Sequence, residues 1–237
     1  MNGQGAASGG DIVDLFLPLH RAGPGDADSL RWALDVAGTP PDAQVLDAGC
    51  GTGADLPALI AALPLGQITA IDTAAPFIER VGSRFPTVTA HVADMANPPP
   101  GPYDLIWSAG AVYQIGVEAA LPAWAPYLKP GGRVAFSDLC WRAADPPAAA
   151  RAFWRAEGLS LGTADDLAAA VAAAGWRVLG ARWLGQGGWA AYYDPLERRL
   201  DGFRGDPALI AGFRAEIALW RAHGASYDYR LIVAEPV

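Results

Sequence analysis

A set of alternating glycines behind a short apolar segment limits the possible folds of this chain more than any other feature. Residues 45–48 form the apolar segment, and Gly49, Gly51 and Gly53 follow it at alternate positions. Glycine is needed where the backbone adopts positive φ, or where a ligand touches it with no Cβ between them. The pattern predicts a buried parallel strand that turns sharply into a helix, with a ligand-binding loop at the turn.

The charges beside this loop indicate which ligand it suits. Asp47 and Asp55 flank the loop, and no lysine or arginine lies within it. The dinucleotide fingerprint spaces its last two glycines three apart, so that a pyrophosphate rests on a helix N-terminus. Two carboxylates and a G-x-G-x-G spacing make a poor phosphate cradle. They favour a nucleoside that carries positive charge, and they disfavour a nicotinamide-dependent oxidoreductase.

Acidic residues also end the next two predicted strands. The strand at residues 67–72 ends in Asp72, where a carboxylate in a βαβ unit accepts hydrogen bonds from ribose hydroxyls. Asp72 could equally cap the helix that follows. The strand at residues 87–92 leads to Asp94 and Met95. These two side chains suit an adenine. The acid can accept a hydrogen bond from the adenine amino group, and the thioether can pack on the face of the ring.

Strands alternate with helical patterns along the rest of the chain, which predicts a parallel, doubly wound sheet. Further strands are predicted at 103–108, 132–138, 176–184 and 229–234, and helices at 11–20, 54–63, 74–84, 117–128 and 146–157. Asp26 or Asp28 is expected to cap a helix through Ala37, and Thr163 one that ends at Gly175. Residues 185–228 are too long for a hairpin loop and contain helical stretches near 195–203 and 207–222.

Several motifs occur together in the order typical of one enzyme family. DAGCGTG, YDLIWS and LKPGGRVAFSD, with the strand-end acids Asp72 and Asp94, make the chain resemble the class I S-adenosylmethionine (SAM)-dependent methyltransferases over nearly its whole length. The resemblance implies an α/β, Rossmann-like sheet of seven strands, mostly parallel with the last strand antiparallel. It also implies an N-terminal helical segment, a helical insertion between the last two strands, SAM as cofactor and S-adenosylhomocysteine as product.

A narrower likeness links the chain to small bacterial methyltransferases near the ubiquinone and menaquinone biosynthesis group. It rests on RAGPG at residues 21–25, on GAVYQIG at residues 110–116, and on Trp189 followed by YYDPL at residues 192–196. The N-terminal segment and the insertion are expected to cover the pocket in such a protein.

The expected site residues form three groups. Donor contacts are expected from Asp47, Gly49, Gly51, Gly53, Asp72, Thr73, Asp94, Met95 and Ser108. Substrate contacts are expected from Arg21, Tyr113, Trp141, Trp189 and Tyr193. The catalytic candidates are His20, Tyr113 and Asp138, because a weak nucleophile needs a general base or a hydrogen-bond partner.

Each candidate has a structural alternative. Tyr113 could be a packing aromatic, Asp138 a cap, and His20 a solvated surface residue. Arg21 could clamp an acidic substrate or fix the N-terminal segment to the body.

The aromatic set Trp141, Trp189, Tyr192 and Tyr193 also has two interpretations. These side chains could build a local core, or they could form an apolar lid over a flat or cationic acceptor.

Composition excludes several functions. The net charge of −8 without a basic cluster argues against nucleic acid and anionic membranes as partners, and no apolar run is long enough for a membrane span. Two cysteines and three histidines lie too far apart for a disulfide framework or a metal site. Residues 1–10 are expected to be a flexible tail, and residues 11–237 one methyltransferase domain in which 11–25 and 185–228 cover the pocket. A cytoplasmic location is expected.

The sequence thus predicts a SAM-dependent methyltransferase that acts on O, N or C of a small metabolite by in-line displacement. The alternative is a SAM- or nucleoside-binding protein without catalysis, such as a partner or regulatory subunit. The acceptor atom and the oligomeric state stay open.

Overall fold

The short apolar segments form seven strands of one sheet in the computed structural model, which describes residues 9–237. The strands are β1 (Gln44–Ala48), β2 (Gln67–Asp72), β3 (Thr89–Val92), β4 (Tyr103–Ser108), β5 (Leu128–Trp141), β6 (Trp176–Trp183) and β7 (Tyr227–Pro236). Their order across the sheet is β3-β2-β1-β4-β5-β7-β6. Only β7 runs antiparallel to its neighbours, β5 and β6. The predicted fold is confirmed.

Nine α-helices connect or flank these strands within residues 9–237. They are α1 (Gly9–Phe16), α2 (Ala27–Ala37), α3 (Leu56–Ala62), α4 (Ala75–Arg84), α5 (Val117–Trp124), α6 (Ala148–Ala156), α7 (Ala164–Ala173), α8 (Gln186–Gly202) and α9 (Pro207–His223). Asp26 caps α2 by accepting from the Ser29 amide at 2.7 Å, and Thr163 begins α7 with a capping box. In this part of the chain no helix has both the length and the apolar character needed to cross a bilayer.

Both faces of the sheet are buried, which explains the unbroken apolar character of the central strands. Val45 packs with Leu30 of α2 on one face, whereas its neighbour Leu46 packs with Leu121 of α5 on the other. Successive side chains of a strand point to opposite faces, so β1 serves both cores.

A third cluster lies outside this sandwich and is built by helices α1, α6, α8 and α9. Leu15, Trp154, Leu196 and Phe213 are among its buried members. This helical layer packs against Leu139, Tyr227 and Tyr229 at the adjoining ends of β5 and β7. It supplies the walls that the sheet alone does not have.

Some element limits differ from the predicted ones. β5 extends to Trp141 because it pairs with β7 as far as Trp141 and Tyr227. α8 occupies residues 186–202 despite three glycines and Pro195, because burial of its aromatic face outweighs weak helix propensity. α1 begins at Gly9, inside the predicted tail, and ends at Phe16; the rest of that tail lies outside the described residues.

Gly53 provides a stability test of the glycine loop. It has φ of +78°, and a Cβ there would lie 3.0 Å from side-chain carbons of Leu56 and Val81. We expect Gly53→Ala to lower the free energy of unfolding by about 1–3 kcal/mol, measured by urea denaturation. The control is Gly82→Ala in α4, where a Cβ meets nothing within 4 Å. That change should raise stability by about 0.5–1 kcal/mol, and equal effects at the two positions would contradict the assignment.

Candidate functional site

A cavity of about 510 Å³ opens where β1, β2 and β4 end. Its wall contains the glycine loop, the residues after β2 and β3, and the loop after β4. The remaining wall comes from α1, from residues 21–24 and from Tyr192 of α8. The carboxyl edge of an open α/β sheet, where the strand order reverses, is the usual ligand site of such folds.

The glycine loop is folded back onto the end of β2. The amides of Gly49 and Cys50 both donate to the Ile71 carbonyl at 2.9 Å. The Gly51 amide donates to Asp72 Oδ2, also at 2.9 Å. Gly49 has φ of +82°, and a Cβ there would lie 2.6 Å from the Ala111 Cβ. The loop therefore needs glycine for its conformation and for its close approach to the loop after β4.

The sequence left two roles open for Asp72, helix cap and acceptor of ribose hydroxyls, and its position is compatible with both. Its Oδ1 accepts from the Ala74 amide at 2.9 Å at the start of α4, and the carboxylate also lines the cavity. Burial raises the pKa of Asp72, and its bonds from backbone amides oppose that rise. Each carboxylate oxygen has a second lone pair, so Asp72 can accept hydrogen bonds from a ligand hydroxyl without giving up its backbone bonds.

Asp47 adds buried negative potential beneath the loop. Burial raises the pKa of Asp47 well above its usual value, and the nearby Asp55 and Asp72 raise it further. A positive charge in the cavity would favour the ionised form of these acids. The site is therefore electrostatically suited to a cationic ligand.

Asp55, one of the two acids that flank the loop, is paired with a cation from outside the loop. It forms an ion pair with Arg21 in which both side chains are about nine-tenths buried. Its second oxygen accepts from Trp107 Nε1 at 3.0 Å. The pair joins the N-terminal segment, defined here as residues 12–25, to the start of α3 and to β4.

Three further hydrogen bonds attach the N-terminal segment to the body. Thr52 Oγ1 donates to the His20 carbonyl at 2.7 Å, and Arg80 Nη2 donates to the Leu19 carbonyl at 3.1 Å. The Gly25 amide donates to the Gly188 carbonyl of α8 at 3.3 Å. The segment is thus anchored to both the glycine loop and the insertion.

Most of the expected donor contacts lie together on the cavity wall. These are Asp47, Gly49, Gly51, Asp72, Thr73, Asp94 and Met95. Ser108 does not line the cavity, because its Oγ is buried and donates to the Ala48 carbonyl at 2.8 Å. Gly53 also faces away from it and packs against Leu56 and Val81.

Of the expected substrate contacts, Arg21 and Tyr113 line the cavity, whereas Trp141, Trp189 and Tyr193 do not. Trp189 Nε1 donates to Asp228 and the Tyr193 hydroxyl donates to Glu216, both at 2.7 Å. Trp141 packs edge-on against Tyr227. These three aromatics build the core of the helical layer, which is the alternative that the sequence had left open.

The catalytic candidates are also separated. Tyr113 lines the cavity, and burial raises its pKa. The exposed side chain of His20 lies off the cavity wall, and its pKa is lowered by partial burial and by Arg21. Asp138 is likewise off the wall and accepts from the Leu139 amide; burial raises its pKa to about 6.

Sequence reasoning missed a group of aromatic and apolar lining residues. They are Ile12, Val13, Phe16, Phe77 and Ile115, whereas Tyr192 was one of the four aromatics considered for a lid. The first three have the helical i, i+1, i+4 spacing that marks one face of α1, which was a usable signal. Tyr192 was weighed together with Tyr193, although adjacent helical residues point in different directions.

Behind Tyr113 and Tyr192 lies a buried acid, Glu216 of α9. The ring of Tyr192 lies 4.9 Å from that of Tyr193, whose hydroxyl binds Glu216. Burial raises the pKa of Glu216 to about 7, and the hydrogen bond from Tyr193 opposes the rise. Among residues 9–237, no arginine, lysine or histidine forms an ion pair with it.

Comparison with known proteins identifies the central part of the chain. Residues 45–132, which span β1 to the start of β5, match a family model described as a methyltransferase domain. Residues 45–132 are therefore similar to a methyltransferase domain. A trans-aconitate 2-methyltransferase from Methylobacterium nodulans is 35% identical over 96 residues, 39% of this chain. That match spans only 37% of the relative's length.

Solved structures with the same architecture extend the likeness over the whole methyltransferase fold. A SAM-dependent methyltransferase from Geobacter sulfurreducens, solved with S-adenosylhomocysteine, has a TM-score of 0.75 at 19% identity and covers 95% of this chain and 96% of its own. The cyclase SpnF has a TM-score of 0.74, also at 19% identity, with 96% and 94% coverage. These matches support the fold and not a shared reaction.

Within the described residues, no three histidine, cysteine or acidic side chains are grouped as a metal ion requires. The charge of the cavity is that of its lining side chains. Among the described lining residues, Asp47, Asp55, Asp72 and Asp94 are acidic and Arg21 alone is cationic.

The buried Arg21–Asp55 pair should matter for stability, unlike an exposed pair. Arg21→Gln leaves a buried carboxylate without its cation, so we expect a loss of about 3 kcal/mol in the free energy of unfolding by urea denaturation. Arg31→Gln removes an i, i+3 pair with Asp28 whose side chains are 59% and 79% exposed. This control should cost less than about 1 kcal/mol. Comparable losses in the two variants would rule out the anchoring role of Arg21.

Glu216 should make stability depend on pH. Its pKa is raised from 4.5 to about 7 in the folded chain, so its contribution is fully present below pH 4.5 and is lost as the pH rises through 7. A change of this size corresponds to roughly 3 kcal/mol. The unfolding free energy of the wild type, measured across this range, should therefore fall relative to that of Glu216→Gln. Parallel pH profiles would show that the carboxyl is not held in a buried environment.

Proposed function

We propose that the protein binds SAM in this cavity and transfers its methyl group to a small-molecule acceptor. The observation that carries the proposal is Asp72, which stands at the cavity wall beside the glycine loop with lone pairs to spare. The match of residues 45–132 to a methyltransferase domain supports it. The names of the similar proteins, a trans-aconitate 2-methyltransferase and a SAM-dependent methyltransferase, support it as well.

The lining residues fit this donor group by group. Asp72 would accept from the ribose hydroxyls, and Asp94 with Met95 would receive the adenine. The Met95 carbonyl is fixed by a hydrogen bond from Trp124 Nε1 at 2.8 Å, which keeps that wall in place. Buried Asp47 and the glycine backbone would favour the cationic amino-acid end.

SAM, when bound, supplies a methyl group that its positive sulfur has already activated. The remaining task of the chain is to hold two reactants in line and to exclude water. The N-terminal segment and Tyr192 form the cavity wall away from the sheet, and we propose that they serve as its cover. Because burial raises the pKa of Tyr113, its hydroxyl stays protonated at neutral pH and can donate a hydrogen bond to the acceptor.

A second candidate function is SAM binding without methyl transfer. One protein with the same architecture, SpnF, is described as a cyclase. The architecture alone therefore does not imply methyl transfer, and this observation favours the second candidate. Turnover assays with a panel of small acceptors separate the two functions, since only a methyltransferase forms S-adenosylhomocysteine in proportion to the acceptor. A small-molecule acceptor, the absence of nucleic-acid and membrane partners, and a cytoplasmic location stay predictions.

Ligand titration tests the donor directly. By isothermal titration calorimetry, SAM and S-adenosylhomocysteine should bind to the wild-type chain, and NAD should not. The physical reason is that NAD brings two negative phosphates to a cavity lined by four aspartates and one paired arginine. NAD binding as tight as that of SAM would refute the proposed donor.

Asp72→Ala should weaken SAM binding by roughly 1.5–3 kcal/mol, the range for hydrogen bonds to a charged group. The matched control is Asp166→Ala, which also removes a carboxylate that caps a helix, but far from the cavity in α7. Calorimetry should find wild-type affinity in the control. If both variants bind SAM normally, Asp72 serves only as a cap.

A further inference from the structure

The cavity wall also carries aromatic side chains that the donor does not explain, and two of them, Phe16 and Tyr192, stack with ring centroids 6.1 Å apart. Phe16, Phe77, Tyr113 and Tyr192 place four aromatic rings on this wall. All but Tyr113 are less than one-tenth exposed. Aromatic faces attract cations through the ring quadrupole, and a desolvated site strengthens that attraction.

A buried carboxyl group lies close to one of these rings, that of Tyr192. Glu216 is 4% exposed and accepts a hydrogen bond from Tyr193, which contacts Tyr192. The charge of Glu216 also acts on Tyr113, which feels Asp72 as well. Tyr113 is therefore within electrostatic range of both Asp72 on the cavity wall and the buried Glu216.

Arg21, the cationic side chain of the described wall, does not neutralise Glu216. Arg21 is committed to Asp55, and the pair is about nine-tenths buried. An anionic acceptor would therefore meet Asp47, Asp72 and Asp94 on the wall without a free arginine to receive it. Opposite charge in a low-dielectric cavity is strongly preferred over like charge.

We propose that the acceptor subsite at Tyr113 and Tyr192 selects a small molecule with an amine or quaternary ammonium group, with Glu216 as the residue that determines this charge preference. The inference rests on the proposed function, because it assigns the second substrate of the same cavity. A protonated amine has no free lone pair, so it anchors the acceptor, and another atom of that molecule receives the methyl group. A carboxylate acceptor such as trans-aconitate is disfavoured.

Matched probes of opposite charge test the preference. Phenethylamine and phenylacetate have similar size and shape, and calorimetry at about pH 8 keeps the amine protonated and Glu216 ionised. In the presence of saturating S-adenosylhomocysteine, the wild type should bind phenethylamine about tenfold more tightly than phenylacetate. In Glu216→Gln the ratio should fall to about threefold or less.

Glu197→Gln is the control for the substitution itself. Glu197 lies on α8 and forms a surface ion pair with Arg221, off the cavity wall. This variant should keep the wild-type ratio of the two affinities. If Glu216→Gln does not fold, Tyr193→Phe replaces it, since it removes the hydroxyl that helps to hold the carboxylate ionised. The ratio should then fall by about twofold.

Three results would overturn the inference: a ratio near one in the wild type, tighter binding of phenylacetate or trans-aconitate, or an amine preference that survives Glu216→Gln. Failure to detect binding of either probe counts as a ratio near one. Titration of S-adenosylhomocysteine alone comes first and separates the two proposals. If it does not bind, the proposed function fails; if it binds and the amine preference is missing, only the subsite assignment fails.

Discussion

The bonds between the end of β2 and the glycine loop set the shape of everything around the cavity. One carbonyl, that of Ile71, accepts from two consecutive loop amides, and the Asp72 carboxylate accepts from a third. These bonds turn the chain out of the sheet plane directly after β1. The turn leaves space for the cavity at the carboxyl edge of the sheet. It requires positive φ at Gly49, Gly51 and Gly53, a conformation that glycine adopts more easily than other residues.

A second interaction converts this room into an enclosed cavity. Asp55 receives the Arg21 guanidinium on one oxygen and the Trp107 indole on the other, so one buried carboxylate joins three parts of the chain. The desolvation of such a pair costs much of the free energy that the attraction between its charges supplies. Its main contribution is therefore to fix the position of the N-terminal segment. It holds the N-terminal segment beside the glycine loop, while α8 contributes Tyr192 to the cavity wall.

The sheet, its order of elements and most donor-side residues could be predicted, because strand-end acids and glycines carry local signals. Asp72, Asp94 and Gly51 are recognisable from spacing alone. The acceptor side was less accessible, since Trp189 and Tyr193 look the same in sequence whether they line a pocket or fill a core. Only the packing of α8 against α9 decides this, and it directs Tyr192 to the cavity and Tyr193 to Glu216. Likewise, no local pattern links Arg21 to an acid 34 positions later.

The way in which the N-terminal segment is attached has a consequence for how the chain can vary. At positions 19 and 20 the segment is held through main-chain carbonyls, which every amino acid possesses. The neighbouring position depends on a buried guanidinium, which a lysine would not replace in geometry. Among natural variants of this chain, the exposed residue 20 is therefore free to change, whereas Leu19 also packs against the helical layer and Arg21 and Asp55 can change only together.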